Sequence, residues 1–512
     1  MNINKTGGKM LSSVQTISHI GLEGQKIDVE ADMHNGLPAF IIVGMANKAV
    51  DEAKERVRGA LKNSKLALPP RRITLNLAPA DLPKMGSSFD LAMAVSLLAA
   101  SGQIKPISQD SMFFGELALD GSTRSVSGAL ATAQIATQLG LKKLFISSSV
   151  AKQAAIIEDL EVYPVENLFE LYQHLLGEKL IESLPTTNLT SKVTTSEVDL
   201  SEIYGQSQAK RAIEIAAAGN HNILLSGPPG SGKTMLAKAL VGLLPKPSYS
   251  EILEITRVHS LAGADIDSIA TNRPFRSPHH TASDISLIGG GQWPRPGEIS
   301  LAHRGILFLD ELPEFKRSVL EVLRQPLEDG MVTVSRATAS YQFPARFLLV
   351  AAQNPCPCGY YGDNTNYCSC SIAQLNRYKT RVSGPLLDRI DLIVPVNKIK
   401  TDELIHSKTV EKTKEVHNRI SKAREIQKNR FKHLTFSTNN EMSNKNIREF
   451  CILDNELEQL ARTAIEKVNL SARSYMRVLK VSRTIADLDS SEMILKHHFT
   501  EALQYRVTKT TV

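Results

Sequence analysis

Gly227, Pro228, Pro229, Gly230, Ser231, Gly232, Lys233 and Thr234 stand in the order G-x-x-x-x-G-K-T, the spacing of a phosphate-binding loop. The glycines let backbone N–H groups turn toward the phosphates of a nucleotide such as ATP. Lys233 reaches the β- and γ-phosphates, and the Thr234 hydroxyl takes one coordination place on Mg²⁺. Such a loop works only between a strand and a helix, because the amides at a helix start must face the anion. Both flanks are present: the apolar run Ile223-Leu224-Leu225 precedes it, and a helical run from Met235 to Leu244 follows.

Other residues are judged by whether they serve a nucleotide held there. Gly305-Ile306-Leu307-Phe308-Leu309 reads as a buried strand ending in Asp310-Glu311. Asp310 is suited to hold Mg²⁺ and Glu311 to polarise the attacking water as general base. Acid pairs also occur at helix starts, where they favour the dipole. A second strand, Arg346 to Ala352, ends near Asn354, whose amide could sense the γ-phosphate; the alternative is an Asx turn. Arg389 lies just before a third strand, Asp391 to Val396. In a ring of subunits it could reach a neighbour's nucleotide; a local salt bridge to Asp388 or Asp391 is its alternative.

Cys356 and Cys358, then Cys368 and Cys370, form two C-x-C pairs, and Cys451 is remote and reads as a core residue. Four thiolates can close a tetrahedral Zn²⁺ site, although C-x-C is tighter than the usual ribbon spacing. Free thiols are the alternative. Because Cys356 follows Asn354 so closely, a zinc knob would stiffen the exit of the sensing strand. His279-His280, two adjacent histidines in a loop, are weak evidence for a metal.

The elements that must position these groups follow from the rest of the chain. Its 512 residues suggest roughly three domains. The composition, 42% hydrophobic and 22% charged, is that of ordinary globular chains with real cores. No run of about eighteen apolar residues predicts a membrane helix, and the first residues lack the apolar stretch of a secretory signal. A cytoplasmic protein is expected. The net charge of +7 is wholly C-terminal: from Lys398 onward there are 22 Lys+Arg against 15 Asp+Glu. From Lys408 to Lys432 nine bases face three acids, which reads either as a solvated helix face or as a nucleic-acid footprint.

Residues 10–182 mix strand-like runs (Lys26 to Ala31, Phe40 to Val43, Ile73 to Leu77, Leu144 to Ile146) with helical ones, predicting an α+β domain. The helical runs are Ala46 to Lys62, Asp90 to Ala100, Ala129 to Leu139 and Leu168 to Leu176. Residues 183–199, rich in Ser and Thr, read as a linker. Strands alternating with helices over 200–397 predict a parallel sheet covered on both faces. Residues 398–512 are almost purely helical, a lid. Met331 to Val334 and Ser340 to Phe343 alternate like a hairpin with Arg336 near its tip. Trp293, the only tryptophan, sits in a glycine-rich loop, where it either anchors a core or stacks on a base.

The order Gly205-Gln206, the Lys233 loop, Asp310-Glu311, Asn354, Arg389 and Arg473 resembles an AAA+ ATPase. The phrases RPFRSPHHTASDISLIGGG (273–291), PRPGEISLAHRGILFLDELPEF (294–315) and SARSYMRVLKVSRTIADL (471–488) are narrower, and resemble the ComM/YifB family of magnesium-chelatase-like ATPases. The resemblance covers nearly the whole chain. It implies that Asn354 is sensor 1, Arg389 the arginine finger and Arg473 sensor 2. It also implies a helix-2 insertion around 281–300, a hairpin before sensor 1 around 331–343, and a homo-hexamer. The activity implied is DNA branch migration by a helicase that supports natural transformation, with single-stranded, duplex or branched DNA as partner, and a recombinase or other recombination proteins beside it. A magnesium-chelatase-like motor subunit remodelling a protein partner is the alternative, and an AAA+ protease or unfoldase is a third.

The segment from Pro83 to Asp90 is similar to the serine segment of Lon-type proteases, with Ser88 at the nucleophile's place. Gly115 to Gly121, followed by Gly128, is similar to the strand before Lon's lysine, but Leu130 stands where that lysine should. Without an amine base the serine cannot be activated in the Lon manner. The expected architecture is therefore α/β: a non-proteolytic Lon-protease-like α+β domain, an AAA+ P-loop core with a zinc-binding insertion at 356–370, and a C-terminal helical lid.

Overall fold

The computed structural model describes residues 11–507, apart from 21, 45–47, 81–83, 85–86, 188–197, 264–268, 292–294, 336–339, 364–365, 399–410 and 469. Trp293, Arg336 and Lys408 thus lie outside the described residues. The chain divides into two compact units, 1–190 with 252–270, and 191–251 with 271–512. No helix among the described residues is long and apolar enough to cross a membrane.

The first unit is built on a seven-stranded mixed sheet. Its order is Ala39–Val43, Arg72–Ala78, Glu23–His34, Leu11–Ile20, Ser111–Phe114, Lys143–Ser147, Glu161–Val165. Leu11–Ile20, Ser111–Phe114 and Glu161–Val165 are not among the strands expected from sequence, and pairing with neighbours secures them. The helix Asp90–Ala100 is buried almost throughout, including Asp90, whose carboxylate accepts from Arg56 Nε at 2.8 Å and from the Leu117 amide at 3.2 Å. Burial raises the Asp90 carboxyl to about 6 against the pull of Arg56. Leu130 is wholly buried in the apolar interior, so the position of Lon's lysine carries no base. Part of the segment read as a linker is structured: the Leu184 amide donates to the Val162 carbonyl at 2.8 Å.

The second unit holds a five-stranded sheet in the order Phe275–Arg276, Ile306–Leu309, Leu348–Gln353, Ile223–Ser226, Leu392–Pro395, with every pair parallel. Ile306–Leu309 and Leu348–Gln353 are buried along their whole length, as a sheet covered on both faces requires. Ser207–Gly219, Thr413–Arg430 and Ala472–Leu488 share one apolar core with the strands. Glu214 takes Arg211 of its own helix at 3.0 Å and ties that helix to Thr413–Arg430 through Arg419 at 2.6 Å. The basic run is thereby partly consumed. Arg424 donates to the Ala217 carbonyl and Arg430 to Asp487, while Lys412, Lys414, Lys422, Lys428 and Lys432 stay exposed.

Two excursions leave this core. Met331–Ser335 and Ser340–Pro344 pair antiparallel as the expected hairpin, burying Val332, Val334 and Phe343. Between Thr281 and Ser300 the chain forms the helix Asp284–Ile288 and the two-stranded pair Gly289–Gly290 and Arg295–Pro296.

Candidate nucleotide site

The phosphate loop leaves the carboxyl end of Ile223–Ser226, beside the ends of Ile306–Leu309 and Leu348–Gln353. The Gly227 amide donates to the Gln353 carbonyl at 3.1 Å, and a Cβ on Gly227 would stand 1.9 Å from the Val396 carbonyl oxygen. Only glycine fits there. The Gly232 backbone is left-handed at φ 91° and opens the helix Lys233–Leu243, whose first turn carries no acidic residue. That leaves the positive helix end to an anion.

The Lys233 ammonium lies inside the loop, donating to the carbonyls of Gly227 at 2.7 Å and Pro228 at 2.9 Å and to Asn354 Oδ1 at 3.2 Å. Burial pushes its pKa below the ordinary lysine value, and the charges of Asp310 and Glu311 oppose that shift. Ser231 Oγ is buried and makes no hydrogen bond among the described residues. The Thr234 hydroxyl donates to Asp310 Oδ2 at 3.0 Å. Two oxygen ligands so close suit a hard cation. Glu311 follows in a left-handed conformation at φ 51°, its amide donating to Asp310 Oδ1 at 2.9 Å. A non-glycine residue held there is a small local strain, and it turns the carboxylate into solvent. This cradle fits a nucleoside triphosphate with Mg²⁺.

His280, weighed from sequence only as weak evidence for a metal, faces Glu311 instead. His280 Nδ1 lies 3.6 Å from Glu311 Oε2. The two sit 31 positions apart, and only pairing of Phe275–Arg276 with Ile306–Leu309 brings them together.

Arg389 and Arg473 lie elsewhere. Arg389 is buried and bonds Glu328, the Pro385 carbonyl at 2.8 Å and the Arg324 carbonyl at 3.1 Å. Arg473 Nη2 is 3.7 Å from the same Glu328 and is mostly exposed. The Arg389 carbonyl accepts from Asn222 Nδ2 at 3.0 Å, and the Asn222 amide donates to Asp391 Oδ2 at 2.9 Å. Asn222 precedes Ile223 and Asp391 precedes Leu392, so this cluster marks the amino ends of the strands. The phosphate loop leaves their carboxyl ends, about 10 Å of strand away.

The four cysteines converge. Cys356 Sγ lies 3.3 Å from Cys358 Sγ and 3.8 Å from Cys368 Sγ, Cys358 lies 3.6 Å from Cys368, and all four sulfurs fall within 4.8 Å of one another. Zinc with sulfurs at about 2.3 Å spaces them about 3.8 Å apart. The quartet can hold such an ion, and all four are free cysteines.

Residues 199–404 match the family described as Magnesium chelatase, subunit ChlI, with 29–149 matching Subunit ChlI of Mg-chelatase and 410–506 matching its C-terminal part. The Competence protein ComM of Haemophilus influenzae is 44% identical over 508 residues, spanning 97% of each chain. The chain belongs to the ComM/YifB family. YifB of Escherichia coli is 43% identical over 501 residues, again 97% of each chain. The magnesium-chelatase 67 kDa subunit of Chlorobaculum parvum is 25% identical over 206 residues, 40% of this chain and 27% of that one. Family membership makes this a magnesium-chelatase-like AAA+ protein, a class that uses ATP with Mg²⁺, as the cradle around Lys233 requires.

Proposed function

We propose that the protein is an ATP-hydrolysing ring motor acting on DNA in the cytoplasm, a branch-migration helicase that promotes integration of incoming strands during natural transformation or recombination. One observation carries the ring: the residues fitted to complete a phosphoryl-transfer site sit at opposite edges of one sheet. Gly227 to Thr234, Asp310, Glu311 and Asn354 gather at the carboxyl edge, and Arg389 with Arg473 at the amino edge. One chain cannot bring both sets to one nucleotide. A neighbour in a homo-hexamer can, its Arg389 and Arg473 stabilising charge that develops on the γ-phosphate.

Within a site, Lys233 and the loop amides bind and orient the phosphates. Mg²⁺, held by Thr234 and Asp310, would neutralise charge on the β- and γ-oxygens. Glu311 takes the proton of the attacking water, His280 orients that carboxylate, and Asn354 links the phosphate end to the strand behind it. Zinc held by the four cysteines is a structural part of the same reading. The DNA substrate is supported by the name of the 44%-identical competence protein. The hairpin Met331–Ser335 and Ser340–Pro344 offers an element able to contact a strand, and the exposed lysines of Thr413–Arg430 offer salt-sensitive backbone affinity.

The test is ATP-dependent migration of a synthetic three-stranded or Holliday junction, with Lys233→Ala and Glu311→Gln as controls. Migration by the parent and by neither variant is expected. No migration, with an ATPase indifferent to every DNA form, would favour the magnesium-chelatase-like motor on a protein partner instead, a reading to which the Chlorobaculum parvum likeness lends weight.

A further inference from the structure

The segment carrying the four cysteines begins directly after Asn354 and ends at the helix Ile372–Lys379. It has little apolar core of its own: Tyr361 and Tyr367 are exposed, and only Cys356 among the four thiols is buried. A loop so built needs a cross-link to hold one shape. The loop and the stretch that follows that helix touch the nucleotide site on three sides. Cys356 is two residues from Asn354, whose Oδ1 accepts from Lys233. Gly359, directly after Cys358, lies against Pro229 of the phosphate loop: a Cβ there would stand 2.6 Å from Pro229 Cδ and 2.8 Å from Cγ. Gly359 is itself left-handed at φ 87°, closing a turn in which its amide donates to the Cys356 carbonyl at 3.0 Å. Beyond the second cysteine pair, Arg381 donates to Glu314 Oε1 at 2.6 Å and to the Pro313 carbonyl at 3.3 Å, gripping the turn that follows Asp310 and Glu311.

We propose that the four cysteines bind one zinc ion that serves as the keystone of the nucleotide site, so that affinity for nucleotide depends on the metal. The phosphate loop is wedged between the Val396 carbonyl behind Gly227 and the Gly359 turn in front of Pro229. With the metal bound, that front wall is rigid and the loop is preorganised. With the metal gone, the wall, the Asn354 side chain and the turn after Glu311 loosen together, and nucleotide must order them on binding. The inference rests on the nucleotide reading of the Lys233 loop.

The experiment uses the full chain. Bound zinc is measured by release with a mercurial thiol reagent into a metal-sensitive dye. Cobalt substitution supplies a second readout, the thiolate charge-transfer and ligand-field absorption of a tetrahedral four-sulfur site. A fluorescent ADP analogue is then titrated against the parent, the stripped protein, the protein reloaded with zinc, the Cys368→Ser/Cys370→Ser double variant and Gly359→Ala, with circular dichroism on each. One zinc per chain is expected, together with affinity weakened about tenfold or more in the stripped and double-variant proteins and restored by reloading. Gly359→Ala is expected to keep its zinc and lose affinity, which separates the wall from general unfolding. No bound zinc overturns the inference. So does Lys233-dependent binding that is equally tight with and without the metal and in Gly359→Ala, and the nucleotide reading then survives. A zinc-bearing chain that takes no more nucleotide than Lys233→Ala overturns both.

Discussion

The ammonium of Lys233 lies 3.2 Å from Oδ1 of Asn354, joining the phosphate loop to the end of the adjacent strand although 121 positions separate them. The proposed function has the amine of the loop and the amide of Asn354 meet the same phosphate. Lys233→Ala is expected to abolish nucleotide binding. Asn354→Ala is expected to keep binding and lower turnover by about 10²-fold, the usual cost of one transition-state donor. Nucleotide titration beside steady-state ATPase separates the two.

Glu311 stands half-exposed at the strand end, with His280 beside it. Glu311→Gln should bind ATP as the parent does and hydrolyse it about 10²–10⁴-fold more slowly, the range for loss of a general base. His280→Ala should lower kcat by a smaller factor without weakening binding, and His280→Gln, which can still donate, should recover part of it. An unchanged kcat in His280→Ala would remove His280 from the site.

Arg389 and Arg473 share Glu328 at the amino edge of the sheet. If they serve a neighbour, Arg389→Ala chains and Glu311→Gln chains, each inactive alone, should recover ATPase when mixed. A mixed interface in which the Arg389→Ala chain holds the nucleotide and its Glu311→Gln neighbour supplies the arginine then pairs an intact Glu311 with an intact Arg389, while the reverse interface lacks both. No recovery in rings shown by mass to be mixed would place Arg389 in a structural role.

Ser88 lies where a Lon-type nucleophile would, but Leu130 is buried in the place of its lysine. The protein should not cleave casein, with or without ATP. Cleavage abolished by Ser88→Ala would contradict this.

His19 should weaken the first unit in mild acid, and Asp90, raised by burial to about 6 from the ordinary 3.8, should offset part of that loss below about pH 6. His19 is buried against Thr132, its Nε2 2.8 Å from Oγ1, and burial holds its pKa down to about 4. The unfolded chain takes up that proton near 6.5. Between those values the unfolded state binds more protons, so the stability present above about 6.5 is lost as pH falls toward about 4. The loss is up to roughly 3 kcal/mol. Hydrogen exchange of the strand Leu11–Ile20 between about pH 7 and 4.5 reads the balance, and His19→Gln should raise protection at the acid end relative to the parent.

Chemistry set by contiguous backbone was legible in the sequence alone. The phosphate loop, the acid pair closing Ile306–Leu309 and the two C-x-C pairs each depend on local spacing, so their residue types and intervals determined what they could bind. The helices Asp90–Ala100 and Leu168–Leu176 were equally legible, the first as an eleven-residue, largely apolar run rich in Ala and Leu and the second from its apolar period and closing Gly177. The short strand Ser111–Phe114 was not. A serine followed by three apolar residues carries no period, and only parallel neighbours on both sides make them a strand.

Only the tertiary structure decided where distant groups meet. Strand direction put Arg389 and Arg473 at the edge opposite this chain's own phosphate loop. Neutralisation of Arg419 and Arg430 by Glu214 and Asp487 left part of the basic run free and consumed the rest. The turn at Gly359 was set against Pro229, and His280 against Glu311. The physical reason is common to all four. A side chain's type fixes which interactions it can make, but crossovers between parallel strands fix which partner stands within reach, and no interval along the chain records that.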